Sequence, residues 1–288
     1  PIPIDHFVNS STRRRLALHP DRAVVLVRDR KSESGWRSLG FADEGYEEMI
    51  REITREAANW TGSDRSGRAR TIFFAGYLGH ENRSVHELAY LEVGRAPYEQ
   101  IRELESNWSL EAIRALLRDS WYLEWRPLAI LLLAINGTPQ DHDYIARKFT
   151  ERAQAGMTMN LSAWATALVE IQREVAIEEI EAKYFRSPRR SREELEAIVL
   201  ALSEHGGTES GLLQDRIIQA YAHLLEHHPK MADYVIRDLL LWQRWDLADE
   251  LQDIREELKT SDPITASAIR LYLLQATQGI LQLPDSGS

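Results

Sequence analysis

From residue 42 onward the sequence keeps returning to one pattern. About ten to eighteen residues carry apolar side chains at helical spacing, and a short break rich in Gly, Pro, Ser or Asn follows. Tyr46, Met49, Ile50, Ile53 and Ala57 fall at i, i+3, i+4, i+7 and i+11, which is a single apolar stripe on a helix. The chain has 15 Gly and 10 Pro in 288 residues, about 9% against a usual ~12%. That is too few turn formers for a fold of many short strands. The composition, 43% hydrophobic and 28% charged, supports a packed core and excludes disorder, collagen and low-complexity architectures.

The breaks set the expected helices. The stretch Gly62 to Gly67 ends the first stripe, Gly79 the next, and Pro97 opens a short helix at a position suited to a first turn. Ser109 is placed to cap a helix start. Residues Arg126–Ile135 are apolar nearly all round and stop at Asn136-Gly137, as expected of a buried inner helix. Segments 140–155, 161–172, 175–185, 192–205, 212–228, 230–244, 247–258 and 263–279 continue the series. Pro229 stops one of them. Helix pairs recur every 30–40 residues or so, the period of HEAT, armadillo and TPR repeats, and the TPR consensus is missing. The expected fold is therefore all-α: a HEAT-like α-solenoid of antiparallel helix pairs over residues 42–288, with an irregular bundle as the alternative.

Residues 1–41 read as a small appendage. Residues 1–21 contain Pro1, Pro3 and Pro20 and lack periodicity, which predicts an extended arm. Ala23-Val-Val-Leu-Val27 and Trp36-Arg-Ser-Leu39, separated by a polar loop, fit one β-hairpin, although the same apolar run suits a helix equally well.

Charge narrows the partners. The formal net charge is −10, and residues 191–288 carry 8 basic and 17 acidic side chains, −9 of that total. Such a surface repels phosphate backbones, so nucleic acid is not an expected partner. Arg13, Arg14 and Arg15 read as a solvated basic tail. No apolar run approaches the ~18 residues of a membrane span. Arg dominates the basic residues (Lys occurs only five times), a bias expected of a GC-rich bacterial genome. The absence of cysteine allows either cytoplasm or periplasm. The start at Pro1 is read as a removed initiator Met or a missing export segment. Asn9, Asn59, Asn82, Asn107, Asn136 and Asn160 all sit in Asn-x-Ser/Thr. That pattern is read as helix caps and loops rather than glycosylation sites.

The segment Tyr77-Leu-Gly-His-Glu-Asn82, Glu87-Leu-Ala-Tyr90 and Arg95-Ala-Pro-Tyr98 resembles bacterial HEAT-like repeat proteins of unknown function, many of which look exported. Leu78, His80, Glu87, Ala89, Tyr90, Ala96, Pro97 and Tyr98 match their layout, and the similarity covers about residues 65–190. The resemblance implies an all-α repeat fold, leans the location toward export, and brings no catalytic residue with it.

Solenoids commonly work by binding proteins. The candidate surface is His80, Asn82, His86, Glu87, Tyr90, Arg95 and Tyr98, polar and aromatic residues near expected helix ends, and the expected partner is a protein. Two enzymatic alternatives compete. His223-Leu-Leu-Glu226-His227 fits the H-x-x-E-H spacing of zinc peptidases, with both histidines on one helix face. Pro229 and the short remaining chain do not suit such a domain. His80-Glu81 and His86-Glu87 resemble the His-Glu motifs of deoxyhypusine hydroxylase, a HEAT-repeat di-iron enzyme, but that family needs four pairs. The expectation is therefore no metal and no cofactor. The aromatic pairs Trp121/Trp125 and Trp242/Trp245 are read mainly as core, with Trp242 and Trp245 on one helix face.

Overall fold

A computed structural model describes residues 9–28, 35–42, 44–60, 64–104, 108–118, 120–208 and 211–282. Asn107 and the tips of several loops lie outside that set, as do the side chains of Trp121 and Tyr122. The chain is about 77% helical, with fifteen helices and one two-stranded sheet among the described residues. It forms two compact units, residues 1–109 and 110–288.

The first unit opens with helix α1 (Ser10–Leu18), where the sequence predicts an extended arm. The difference is local chemistry. Asn9 caps the helix by accepting the Thr12 N–H at 2.8 Å, and α1 buries none of its residues, so it leaves no apolar period to read. Strands β1 (Ala23–Arg28) and β2 (Trp36–Ala42) then pair antiparallel, with an irregularity between Val25 and Leu26. The helices of this unit are α2 (Glu44–Glu56), α3 (Asp64–Ala75), α4 (Arg83–Gly94) and the single turn α5 (Tyr98–Arg102). Met49, Leu78, Val85, Ala89 and Val93 are fully buried at their centre. Trp60, Phe73, Phe74 and Tyr77 form a chain of ring contacts with centroids 5.1–5.7 Å apart.

The second unit holds α6 (Leu110–Arg118), α7 (Arg126–Asn136), α8 (Pro139–Ala155), α9 (Leu161–Gln172), α10 (Glu174–Ile180), α11 (Arg192–Gly206), α12 (Gln214–His227), α13 (Ala232–Trp242), α14 (Ala248–Ser261) and α15 (Pro263–Gln282). Alternate helices stand side by side: α7 packs on α9, α9 on α11, α11 on α13 and α13 on α15. The intervening helices lie against them, α8 on α7 and α9, α12 on α10 and α11, and α14 on α15. As its composition predicts, α7 is an inner helix with Leu128, Ala129, Ile130, Leu132, Leu133 and Ala134 buried.

Two junctions show how the helices are fixed. At the start of α8, Thr138 and Asp141 form a capping box, and Arg114 of α6 donates to both Asp141 oxygens at 2.7 and 2.6 Å. A side chain on Gly137 would approach the Leu133 carbonyl oxygen to 2.2 Å, so glycine is required there. At the end of α11, a Cβ on Gly206 would meet the Trp242 ring at 2.4 Å. That indole is in turn stacked on Tyr221, centroids 6.1 Å apart and planes 4° from parallel. Beyond Trp242 the chain turns through Gln243 in the left-handed region (φ 55°). Trp245 therefore leaves the helix and packs on Tyr272 instead, at 5.2 Å. The two tryptophans do not share a helix face as their spacing predicts.

Gly206→Ala should drive a methyl group into a pinned indole and lower unfolding stability by about 1–3 kcal/mol, measurable by urea denaturation. The Arg114 guanidinium holds the Asp141 carboxyl below the ordinary carboxylate range. A depressed folded pKa stabilises above the unfolded value near 4 and loses that contribution as pH falls toward the folded one. The urea midpoint should therefore drop between pH 5 and pH 3, and drop less in Asp141→Asn.

Candidate functional site

The seven residues singled out near the ends of α3 and α4 divide between core and surface. Tyr90 and Tyr98 are 3% and 7% exposed and belong to the interior of the first unit, so neither can present a ring to a partner. Pro97 sets the chain for the turn α5, and that turn carries Tyr98 inward. His86 is half-buried, its ring 5.5 Å from Trp108 and 5.8 Å from Tyr90, and burial pushes its imidazole below the usual histidine value. His80 accepts the Asn82 N–H on Nδ1 at 3.0 Å, while Asn82 caps α4 through the Val85 N–H at 3.1 Å. Glu87 accepts from Arg83 at 2.6 Å. Arg95 has a side chain 71% exposed and is paired with Glu92 at 3.6 Å. The two His-Glu pairs are thus spent on turn geometry, ring packing and an ion pair, and they do not converge.

Beside this turn lies a cleft of about 540 Å³, lined by Arg15, Arg22, Phe41, Glu81, Arg83 and Ser84 among others. Four parts of the first unit supply it. Helix α1 brings Arg15, whose guanidinium lies 4.6 Å above the Phe41 ring of β2. The segment entering β1 brings Arg22, and the first turn of α4 brings Arg83 and Ser84. Among the described residues, neither Arg15 nor Arg22 has a carboxylate partner. The Arg22 Nε is shielded from solvent and donates to nothing. The arginine run 13–15 therefore does not act wholly as a free tail: its last member is laid on an aromatic ring. Sequence reading missed Arg22 and Phe41, which become neighbours of residues 81–84 only through the fold.

The second unit holds a smaller cleft, about 460 Å³, bordered by Glu178, Glu181, Arg186, Arg216, Gln219 and His223. Its geometry comes from a π-helical turn, Glu181–Phe185, that continues α10. The turn carries Glu181 inward, where its side chain is 6% exposed. Arg216 of α12 donates to one Glu181 oxygen at 2.5 Å and Arg186 to the other at 3.3 Å. Tyr184, on the same turn, is fully buried with Arg190 4.5 Å over its ring. Burial pushes its hydroxyl up to about 12. One signal in the sequence pointed to this site: Glu181 lies four residues after Ile177, on the apolar stripe, where a charge must be paired.

His223, at the cleft rim, and Glu226 are 3.8 Å apart on α12. His227 is exposed in the last turn of that helix. No group of three His, Cys, Asp or Glu side chains able to hold a metal assembles among the described residues. A third polar cluster is closed: Asp238 of α13 accepts from Ser203 at 2.7 Å and from Tyr221 at 2.5 Å, inside the α11–α13 packing. Burial raises its carboxyl above the ordinary range.

No protein-family model, curated protein or solved structure matches the chain. No helix among the described residues is long and apolar enough to cross a membrane.

Glu181→Ala should leave Arg216, whose side chain is only 17% exposed, without its charge partner. The expected loss is about 2–4 kcal/mol in unfolding stability, against little change for Glu178→Ala, because truncating one member of a buried ion pair strands the other. Equal, small effects for both variants would show that the network is solvated.

Proposed function

We propose that the chain is a HEAT-like helical repeat protein that works without catalysis, as a binding module for a protein partner. The observation that carries this reading is the side-by-side row α7, α9, α11, α13 and α15, with the intervening helices laid against it. In such an arrangement each helix buries its apolar stripe against its neighbours and leaves the outer surface of the row free. Three successive members of the row hold large apolar side chains in solvent: Leu200 on α11 is 55% exposed, Leu241 on α13 74%, and Leu271 on α15 62%. Exposed leucines on neighbouring helices are the raw material of a partner contact. The layout shared by Leu78, His80, Glu87, Tyr90 and Tyr98 with HEAT-like proteins supports the same fold type. The turn where those residues lie contributes Arg95, Glu87 and Asn82 as its accessible polar groups.

The test is a triple variant, Leu200→Glu, Leu241→Glu and Leu271→Glu, compared with wild type by affinity capture with crosslinking. All three side chains are exposed, so the melting temperature should stay within about 3 °C while stoichiometric protein partners are lost. Retention of every partner would remove the row as the binding surface. The enzymatic alternative is checked on the same preparation: zinc well below one equivalent is expected, and one equivalent lost on His223→Ala would restore the hydrolase reading.

A further inference from the structure

We propose that the arginine cleft of the first unit is a binding site for a phosphoryl group, carried as a phosphate monoester. This goes beyond the protein-binding reading and does not depend on it. Two guanidiniums, from Arg15 and Arg22, face one cleft of about 540 Å³, and neither forms an ion pair among the described residues; the one carboxylate in the lining is that of Glu81. Several other arginines of the chain are paired with carboxylates: Arg114 with Asp141, Arg190 with Glu194, Arg216 with Glu181, and Arg244 with Asp215 and Asp246. The contrast matters because a guanidinium held near protein loses hydration and gains only when an anion replaces the water. Arg22 shows that loss directly, since its Nε is sealed from solvent and has no acceptor.

The two guanidiniums select the anion. Arg83 is shared with Glu87 and Glu81 lines the same cleft, so the cleft keeps a net positive charge, and the forks of Arg15 and Arg22 suit the oxygens of a phosphate monoester. Guanidinium forks match its oxygens in pairs. Ser84 in the first turn of α4 lines the same cleft and offers a hydroxyl. Glu81 at the edge opposes an extended polyanion, so the site suits one compact phosphoryl group rather than a nucleic-acid backbone. Arg15 is preorganised by its stacking on Phe41, which lowers the entropy lost on binding. The cleft volume falls in the range of small-molecule sites, large enough for the alcohol portion of the ester beside the phosphate. The negative charge of the whole chain does not decide the matter. Residues 1–70 are net positive, with 13 basic and 11 acidic side chains, and the field at a site is set within about one Debye length.

The experiment is isothermal titration of the full chain with inorganic phosphate, and with acetate at matched ionic strength as the reference. Saturable binding of phosphate, with acetate at least about tenfold weaker, is expected. Arg15→Glu is the main variant, because an exposed side chain can be changed without disturbing the fold. It should weaken phosphate about tenfold or more, as should Arg22→Ala, while Arg51→Ala on α2 should bind like wild type. Circular dichroism confirms that each variant is folded. Glycerol phosphate and a phosphoserine peptide then separate a free metabolite from a modified protein as the source of the group. Absence of saturable binding, equal response to acetate, or unchanged affinity in folded Arg15→Glu would each overturn the proposal.

Discussion

Helix α9 is the element on which the second unit depends. Eight of its twelve residues are buried, more than one helix face can supply, so it must be covered from several sides at once. It is: α7, α8, α10 and α11 all pack on it. The sequence allows this through size. Ala163, Ala165, Thr166 and Ala167 keep the helix thin, while Leu161, Trp164, Leu168 and Val169 fill the space between its neighbours. His205 of α11 adds a directional tie, its Nε2 2.9 Å from the Thr166 carbonyl oxygen. A buried carbonyl that accepts a second hydrogen bond fixes the register of two helices that apolar packing alone would let slide.

A similar logic runs through the polar interior. The helices meet at points where one charged or hydroxyl group is fully engaged from both sides: Asp141 by Arg114 and Thr138, Glu181 by Arg216 and Arg186, Asp238 by Tyr221 and Ser203. Each pairs a residue on one helix with a group from another, and each is far apart in sequence. Burying such groups costs desolvation that the hydrogen bonds roughly offset, so their effect falls more on which helices meet than on total stability. The π turn at Glu181–Phe185 is the clearest instance. It carries one charge and two aromatic rings inward together, Glu181 beside Tyr184 and Phe185.

Much of this was legible in the sequence, and what was not has a physical reason. Segment 161–172 coincides with α9, and most other predicted helices differ from the observed ones by one to three residues, because apolar period and capping residues are local signals. Helix α1 was invisible for the opposite cause: held by an Asn cap and burying none of its residues, it has no apolar period. The hairpin was read correctly as one of two options, since a run of five apolar residues does not choose between strand and helix until its partner strand is known. Tyr90 and Tyr98 look like surface residues in the sequence, which shows that a residue is aromatic near a helix end and not which way the end faces, whereas both are buried. The Glu181 network needed two distant segments at once, the turn at residues 181–186 and Arg216 of α12.

The two units differ in the balance of their charges. Residues 191–288 carry nine net negative charges, and four of the six arginines there are bound to carboxylates, Arg192 to Glu196 and Asp233, Arg216 to Glu181, Arg244 to Asp215 and Asp246, and Arg255 to Glu256. Its remaining acidic side chains keep the surface hydrated around the exposed leucines and limit contact with unselected apolar surfaces. The first unit likewise pairs Arg51, Arg68, Arg70 and Arg83 with glutamates, but among the described residues it leaves Arg15 and Arg22 without an ion pair at one cleft. A guanidinium held over an aromatic ring without an ion pair keeps its fork available to an anion, whereas the Arg216 guanidinium at the Glu181 cleft already has its carboxylate, and this is the electrostatic difference between the two clefts.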